Sequence, residues 1–340
     1  MTRMRADILR QPAALRACLR TLRGSESVRT ASRIVAQAPE VLVAGIGASY
    51  HAAIAVAELL GRRGRFAQAV DLSELPARRA FRPGTALLAL SRSGRSAELA
   101  ELPDLARRQK LRLVAVTNDP ESPLARAAEV AVVPGVGYDH AVSIVTYTAV
   151  ALAGGLVADP RLPELDAALE GLERAIPGWS ERLESWPPPT GPAYFLGRGA
   201  ARAAAREARL LWEEAVKSPA AALTTGEFRH GPQEVVRPGL LAGLWIDPER
   251  RREEDLAMAR ELVELGAQVL LVGQEIADDG LSFRLPAIDP GWQFLLDAVP
   301  LQLAAERAAR TRGVDCDAFR LCSYVVETSE GLRAPATKGV

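Results

Sequence analysis

The chain has 340 residues, 48% of them hydrophobic and 25% charged, with 42 basic residues balanced by 42 acidic ones. Average apolar content and zero net charge exclude a disordered chain and leave no overall charge to draw nucleic acid or a membrane. Its cysteines, Cys18, Cys316 and Cys322, are too few for a disulfide scaffold and lack metal-ligand spacing, which points to a reducing cytoplasm.

Residues 1–38 read as helical, from an amphipathic start at Ala6, Leu9 and Ala13 to a stop before Pro39. Arg3, Arg5 and Arg10 are followed by no apolar stretch, so no signal peptide is expected. The apolar run Val41-Leu42-Val43-Ala44 then ends in Gly45-Ile46-Gly47-Ala48-Ser49, and a helix is predicted from Tyr50 to Leu60. This strand, tight turn and helix recur as strand Ala86–Leu90, polar turn Ser91–Ser96, helix Ala97–Gln109 and strand Leu113–Val116. Solid apolar strands alternating with helices argue for a parallel sheet covered on both faces. A further strand is predicted near Val130–Val133. The uncharged run Ala141–Ala158 holds Ser143, Thr146, Thr148 and two glycines, and is shorter than the ~20 apolar residues that span a bilayer. It reads as a helix buried in a soluble layer.

Residues 160–185 read as a connecting helix. Trp186-Pro187-Pro188-Pro189-Thr190-Gly191-Pro192 breaks any regular element and marks the expected boundary, which gives domains 1–186 and 193–340 with a linker at 186–192. The opening pattern then returns. Ala193-Tyr194-Phe195-Leu196-Gly197-Arg198-Gly199-Ala200 echoes Val41 to Ala48, Leu240–Ile246 is the next apolar strand, and Val269–Val272 is another. Two matched units at this spacing indicate a duplicated fold.

The copies differ where chemistry would sit. Ser91-Arg92-Ser93-Gly94-Arg95-Ser96 offers hydroxyls, backbone N–H groups and a helix start, a combination that suits phosphate, and Arg92 or Arg95 could add charge-assisted bonds. The second copy has Pro248-Glu249-Arg250-Arg251-Arg252-Glu253-Glu254-Asp255 there, which reads as a solvated helix start. The plainer reading of the serines is an N-cap turn. Gly45-x-Gly47 is weak evidence for a dinucleotide, because Tyr50 stands where the third glycine of that fingerprint belongs. A nucleotide-binding oxidoreductase is therefore a minor alternative. In the second half, Ala203, Glu207, Leu210 and Glu214 share a helical face, and His230 lies in Glu227-Phe228-Arg229-His230-Gly231-Pro232. His51 and His140 read as packing or capping residues.

Gly47-Ala48-Ser49-Tyr50, the serine loop and Gly226–Pro232 together resemble the sugar isomerase (SIS) family, in a tandem of two SIS domains covering nearly the whole chain. The plan is similar to the isomerase half of glutamine–fructose-6-phosphate aminotransferase and to glucosamine-6-phosphate deaminases and fructosamine deglycases. The resemblance implies an α/β fold of two domains, each a parallel sheet flanked by helices in a flavodoxin-like three-layer arrangement. It leaves out the glutamine-hydrolysing domain: the chain opens Met1-Thr2 with no cysteine nucleophile, so the full glutamine-dependent reaction is not expected.

Carried over position by position, the resemblance puts Ser91, Arg92, Ser93 and Ser96 on the phosphate loop, with Arg92 in place of the usual glutamine. Ala48 and Ser49 fall on the turn that touches the sugar hydroxyls. Glu214 falls on the glutamate that moves a proton between C1 and C2, and His230 on the ring-opening histidine supplied by the partner subunit of a homodimer. The implied partner is a small phosphorylated sugar, with neither cofactor nor metal required. Three family lysines are missing. Leu211 and Val145 stand at two of their positions and Tyr324, or Ser323, at the third, in the C-terminal tail that in the family closes over the sugar, so the resemblance places Tyr324 among the substrate-binding residues. Only Lys110, Lys217 and Lys338 are lysines. Arginine bias does not produce leucine, valine or tyrosine, so imine chemistry by a tail lysine is not expected. Proton shuttling by Glu214 is retained. The expectation is isomerisation or deamination of a sugar phosphate, with a non-catalytic sugar-phosphate sensor as the alternative.

Overall fold

The computed structural model describes residues 1–78, 80–161, 164–277 and 281–328. These divide into two compact units, one of residues 17–161 and 317–328, the other of residues 1–16 and 164–316. Helix α1 (Arg3–Leu22) opens the chain.

The first-sheet unit contains α2 (Glu26–Gln37), β1 (Val41–Gly45), α3 (Ala48–Arg62), β2 (Ala67–Asp71), β3 (Ala86–Ser91), α4 (Leu102–Gln109), β4 (Arg112–Thr117), α5 (Pro123–Ala127), β5 (Val130–Val132) and α6 (Val145–Ala158). Its five strands lie in the order β2-β1-β3-β4-β5, and every pair is parallel. Leu42, Ala44, Leu87, Ala89, Leu113 and Ala115 pack on Leu102 and Leu105 of α4. The alternate residues Val41, Val43, Leu88, Leu90, Val114 and Val116 are buried as well. Both faces are therefore covered, which is why these strands read as unbroken apolar runs. Each fully buried leucine or valine contributes about 1.5–3 kcal/mol to that packing.

Helix α6 is buried from Val145 through Val157. Gly154 lets it approach closely, since a Cβ there would lie 2.9 Å from Val56 of α3 and 3.4 Å from Leu90 of β3. The uncharged run is thus an interior helix of its own unit and offers no free apolar face to a second subunit. Among the described residues no helix is long and apolar enough to cross a membrane. The helix begins at Val145 rather than Ala141 because the buried Asp139 carboxylate accepts from the amides of Ile144, Val145 and Thr146 at 2.9–3.0 Å.

The second-sheet unit contains α7 (Leu165–Glu184), β6 (Ala193–Leu196), α8 (Ala201–Leu211), β7 (Ala220–Leu223), α9 (Thr225–Arg229), β8 (Leu241–Trp245), α10 (Arg252–Glu264), β9 (Gln268–Gly273), β10 (Ser282–Arg284), α11 (Phe294–Asp297) and α12 (Val299–Thr311). The sheet, again parallel, runs β7-β6-β8-β9-β10. In chain order this repeats the first sheet strand for strand, an arrangement of flavodoxin type.

The contact division runs otherwise than the boundary expected at 186–192. Trp186 is buried and its indole N–H donates to Gln268 at 3.1 Å. The Gly191 amide donates to Gly239 at 2.8 Å. These contacts, with α7 ahead of them, belong to the second-sheet unit, whereas residues 317–328 pack with the first.

Candidate functional site

The serine loop leaves the carboxyl end of β3. Ser91 and Ser93 are buried, at 5% and 7% exposure. The Ser91 hydroxyl oxygen accepts from the Gly94 amide at 3.0 Å and that of Ser93 from the Arg95 amide at 3.2 Å. Each hydroxyl keeps a proton to donate. Ser96 precedes a 3₁₀ turn, Ala97–Leu99, and its hydroxyl makes no capping bond. Gly94 is required twice over. Its φ is +64°, and a Cβ would lie 2.2 Å from the Ser122 hydroxyl and 3.0 Å from that of Thr117. The loop is braced from the β4–α5 connection, where the Asn118 amide donates to the Arg92 carbonyl at 3.1 Å, and from the first turn of α5, where the Leu124 amide donates to the Gly94 carbonyl at 3.3 Å.

The two loop arginines have different partners. Arg95 is ion-paired with Asp119 at 2.7 Å, a bond that holds the Asp119 carboxyl below its ordinary range. Arg92 donates to the Ser143 hydroxyl at 2.8 Å and to the Tyr324 carbonyl. Its guanidinium carbon also lies 3.9 Å from the centroid of the Tyr324 ring. The Tyr324 hydroxyl donates to the Asp139 carbonyl at 2.8 Å. Burial pushes the Asp139 carboxyl up, against the bonds from Thr146, Val145 and Ile144 that favour its charge.

Ala48 and Ser49 open α3 in the same unit, both half-buried. Gly45 is a packing glycine, as a Cβ there would lie 2.3 Å from the Ser49 carbonyl oxygen. Gly47 supplies a left-handed turn at φ +55°. His51 is buried in α3 beside the Tyr50 ring, in keeping with a packing role.

Glu214 and His230 lie in the second-sheet unit, on separate elements. The sequence predicts a continuous α-helix from Arg206 to Ala215, but Trp212–Val216 is a π-helical turn and carries Glu214. The extra residue per turn moves Glu214 off the face it would share with the buried Glu207. Glu214 is half-buried, and the Lys217 ammonium donates to its backbone carbonyl. Neighbouring Glu213 is paired with Arg209 at 2.6 Å. His230 follows α9 and is exposed. A capping box between Thr224 and Glu227 fixes α9, with bonds of 2.7 and 3.0 Å. Leu211 and Val145 are buried in apolar packing. Lys338 lies outside the described residues.

The place in the second sheet that corresponds to the serine loop holds a carboxylate of the chain itself. Asp255, in the first turn of α10, is fully buried. It accepts from the Arg198 guanidinium at 2.9 Å and from the Asp247 amide at 3.1 Å. Burial raises its carboxyl above the ordinary range while Arg198 opposes the rise. Arg198 comes from Gly197-x-Gly199, the counterpart of Gly45-x-Gly47. The sequence reading missed both this pair and the cap at Asp139. An acid just ahead of an apolar helix was the available signal for the cap.

Residues 34–156 match the SIS domain family. The chain is 29% identical to a glutamine–fructose-6-phosphate aminotransferase of Aeropyrum pernix, over 92% of this chain and 55% of that protein. It is 27% identical to the same enzyme of Pyrobaculum aerophilum, with the same coverage. It thus spans about half the length of these curated relatives. Among solved structures, glucosamine-6-phosphate deaminase of Thermotoga maritima matches with a TM-score of 0.82 at 20% identity, over 96% of this chain and 99% of that one. Tagatose-6-phosphate ketose/aldose isomerase of Escherichia coli matches with a TM-score of 0.80 at 20% identity, over 93% and 94%. These likenesses show the fold: two parallel five-stranded sheets flanked by helices.

Proposed function

We propose that this chain, whose residues 34–156 are an SIS domain and which is homologous to the isomerase region of glutamine–fructose-6-phosphate aminotransferases, binds a phosphorylated sugar or amino sugar on its serine loop. The observation that carries the reading is the asymmetry of the two sheets. At the end of β3, hydroxyls with protons to donate lead into the turn Ala97–Leu99, whereas the corresponding end of β8 is filled by Asp255. The first arrangement is complementary to a phosphate, whereas in the second Arg198 and the Asp247 amide are already taken by a carboxylate of the chain.

The reaction we assign is proton transfer between C1 and C2 of the sugar phosphate, as in aldose–ketose isomerisation or deamination. Glu214 is the base and His230, serving the site of a second copy of the chain, assists ring opening. One carboxylate poised over adjacent carbons is enough for such a transfer, and an imidazole can both give and take the proton that ring opening moves. The π-helical setting of Glu214 supports a functional assignment, because such turns recur at functional sites. A thermal-shift panel of hexose and aminohexose phosphates tests binding: a ligand at 100 times its Kd adds about 2.7 kcal/mol. Deuterium uptake from heavy water into the bound sugar tests catalysis, and Glu214→Gln should cut exchange by about 10²–10⁴-fold.

A second reading, a sugar-phosphate sensor without catalysis, is favoured by Leu211 and Val145, buried apolar residues at two of the family's lysine positions. It prevails if wild type binds a sugar phosphate and shows no exchange beyond that of Glu214→Gln.

A further inference from the structure

Residues 317–328 pack on the same unit as the serine loop, and their contacts converge on it. The Tyr324 ring lies on the Arg92 guanidinium, and the Tyr324 carbonyl accepts from the same group. The Tyr324 hydroxyl is tied to the Asp139 carbonyl at 2.8 Å, and Tyr138 meets the ring edge-on at 6.4 Å. Two residues on, the Val326 carbonyl accepts from the Ala97 amide at 3.0 Å. Arg92 and the Ala97 amide are two donors that an anion in this loop would use: a guanidinium, and the first amide of the turn after Ser96. Each holds a carbonyl oxygen of the tail.

We propose that the segment Tyr324–Val326 is an internal competitor for the anion site, its two carbonyls occupying donors that a phosphate must take over. The proposal rests on the reading that the serine loop binds a sugar phosphate, and adds to it an autoinhibitory contact.

The chemistry sets the direction of the exchange. A carbonyl offers a dipole and a phosphate a full charge, so each donor prefers the phosphate once it is within reach. Reaching it requires breaking the ring stack on Arg92 and the bond to Asp139. Asp139 is a firm anchor because its carboxylate is fixed by the first amides of α6. The apparent affinity is therefore the intrinsic affinity reduced by the fraction of molecules whose tail is released. Arg92, standing where the family pattern has glutamine, is what the tyrosine stacks on. The latch thus accompanies two departures from that pattern, at residues 92 and 324.

The test compares wild type, Tyr324→Phe and Tyr324→Ala by calorimetric titration with inorganic phosphate and with glucosamine 6-phosphate. Tyr324→Ala, which loses both stack and hydroxyl, should bind both at least about tenfold more tightly than wild type, with Tyr324→Phe in between. In wild type itself, the NMR contact between the Tyr324 and Tyr138 rings should be lost on phosphate addition. Equal or weaker binding by Tyr324→Ala, or the ring contact unchanged with phosphate bound, overturns the competitor and leaves the anion site standing. No binding of either ligand by any of the three proteins overturns the anion site, and the competitor with it.

Discussion

The two sheets have the same strand order and end their third strands in opposite ways. After β3 the chain turns through Ser91–Ser96, with backbone amides held by serine oxygens and hydroxyl protons left to donate. After β8 it runs into α10, whose Asp255 is drawn inward to Arg198 and the Asp247 amide. On the proposed reading, one copy keeps a place for an external anion and the other supplies its own. A duplicated fold tolerates this because the strand ends need their polar groups matched, and either a ligand or a side chain does that. The contrast is the reason the proposal places the phosphate at the first sheet alone.

Substitutions can break the contrast from either side. The largest effect is expected from Gly94→Ala, which forces a left-handed φ on alanine and drives its Cβ into Ser122. Strain and overpacking together should cost roughly 2–4 kcal/mol, read as a lower denaturant midpoint, with sugar-phosphate binding lost as well. Asp255→Ala comes next. It leaves Arg198, whose side chain is 23% exposed, without its buried partner, and stability should fall by about 2–3 kcal/mol, below the cost for a fully buried pair. Sugar-phosphate affinity at the serine loop should be unchanged. Ser93→Ala reverses that pattern. Stability should move little, while affinity falls roughly tenfold or more, from loss of one hydrogen bond to a charged group worth ~1.5–3 kcal/mol. If Ser93→Ala binds as wild type does, the serine loop is an ordinary turn.

A pH series separates the units in another way. Asp297, fully buried in the second-sheet unit with Gln293 donating to it at 3.0 Å, has its carboxyl pushed up to about 7 by burial. The folded state therefore holds a proton that the unfolded chain, titrating near 3.9, releases. This contribution is most favourable at low pH and is lost as pH rises from about 4 to about 7. Asp297→Asn should flatten that decline in a denaturation series across pH. An unchanged slope would assign the decline to other groups.

Much of the fold was legible because buried parallel strands are unbroken apolar runs: β1, β3, β4, β6, β8 and β9 all fall where such runs occur. Strands β2, β7 and β10 were missed. The first two are half-exposed and alanine-rich, and the third is three residues long, so none has a distinctive pattern. The start of α6 was placed too early because its cap, Asp139, lies several residues upstream of the helix. At the site, the serine loop was readable as a local motif. The partners of Arg92, Arg198 and Tyr324 were not, because each is fixed by a residue distant in sequence, and spacing along one chain does not encode that pairing.

The central claim is that the serine loop, and not its counterpart beside Asp255, holds the phosphate of a sugar. A crystal structure of the protein with glucosamine 6-phosphate or fructose 6-phosphate tests it most directly. The phosphate should lie within hydrogen-bond distance of Ser91, Ser93 and Ser96, with the Arg198–Asp255 pair intact. A phosphate seated beside Arg198 or Arg251, with the serine loop unliganded, would contradict it.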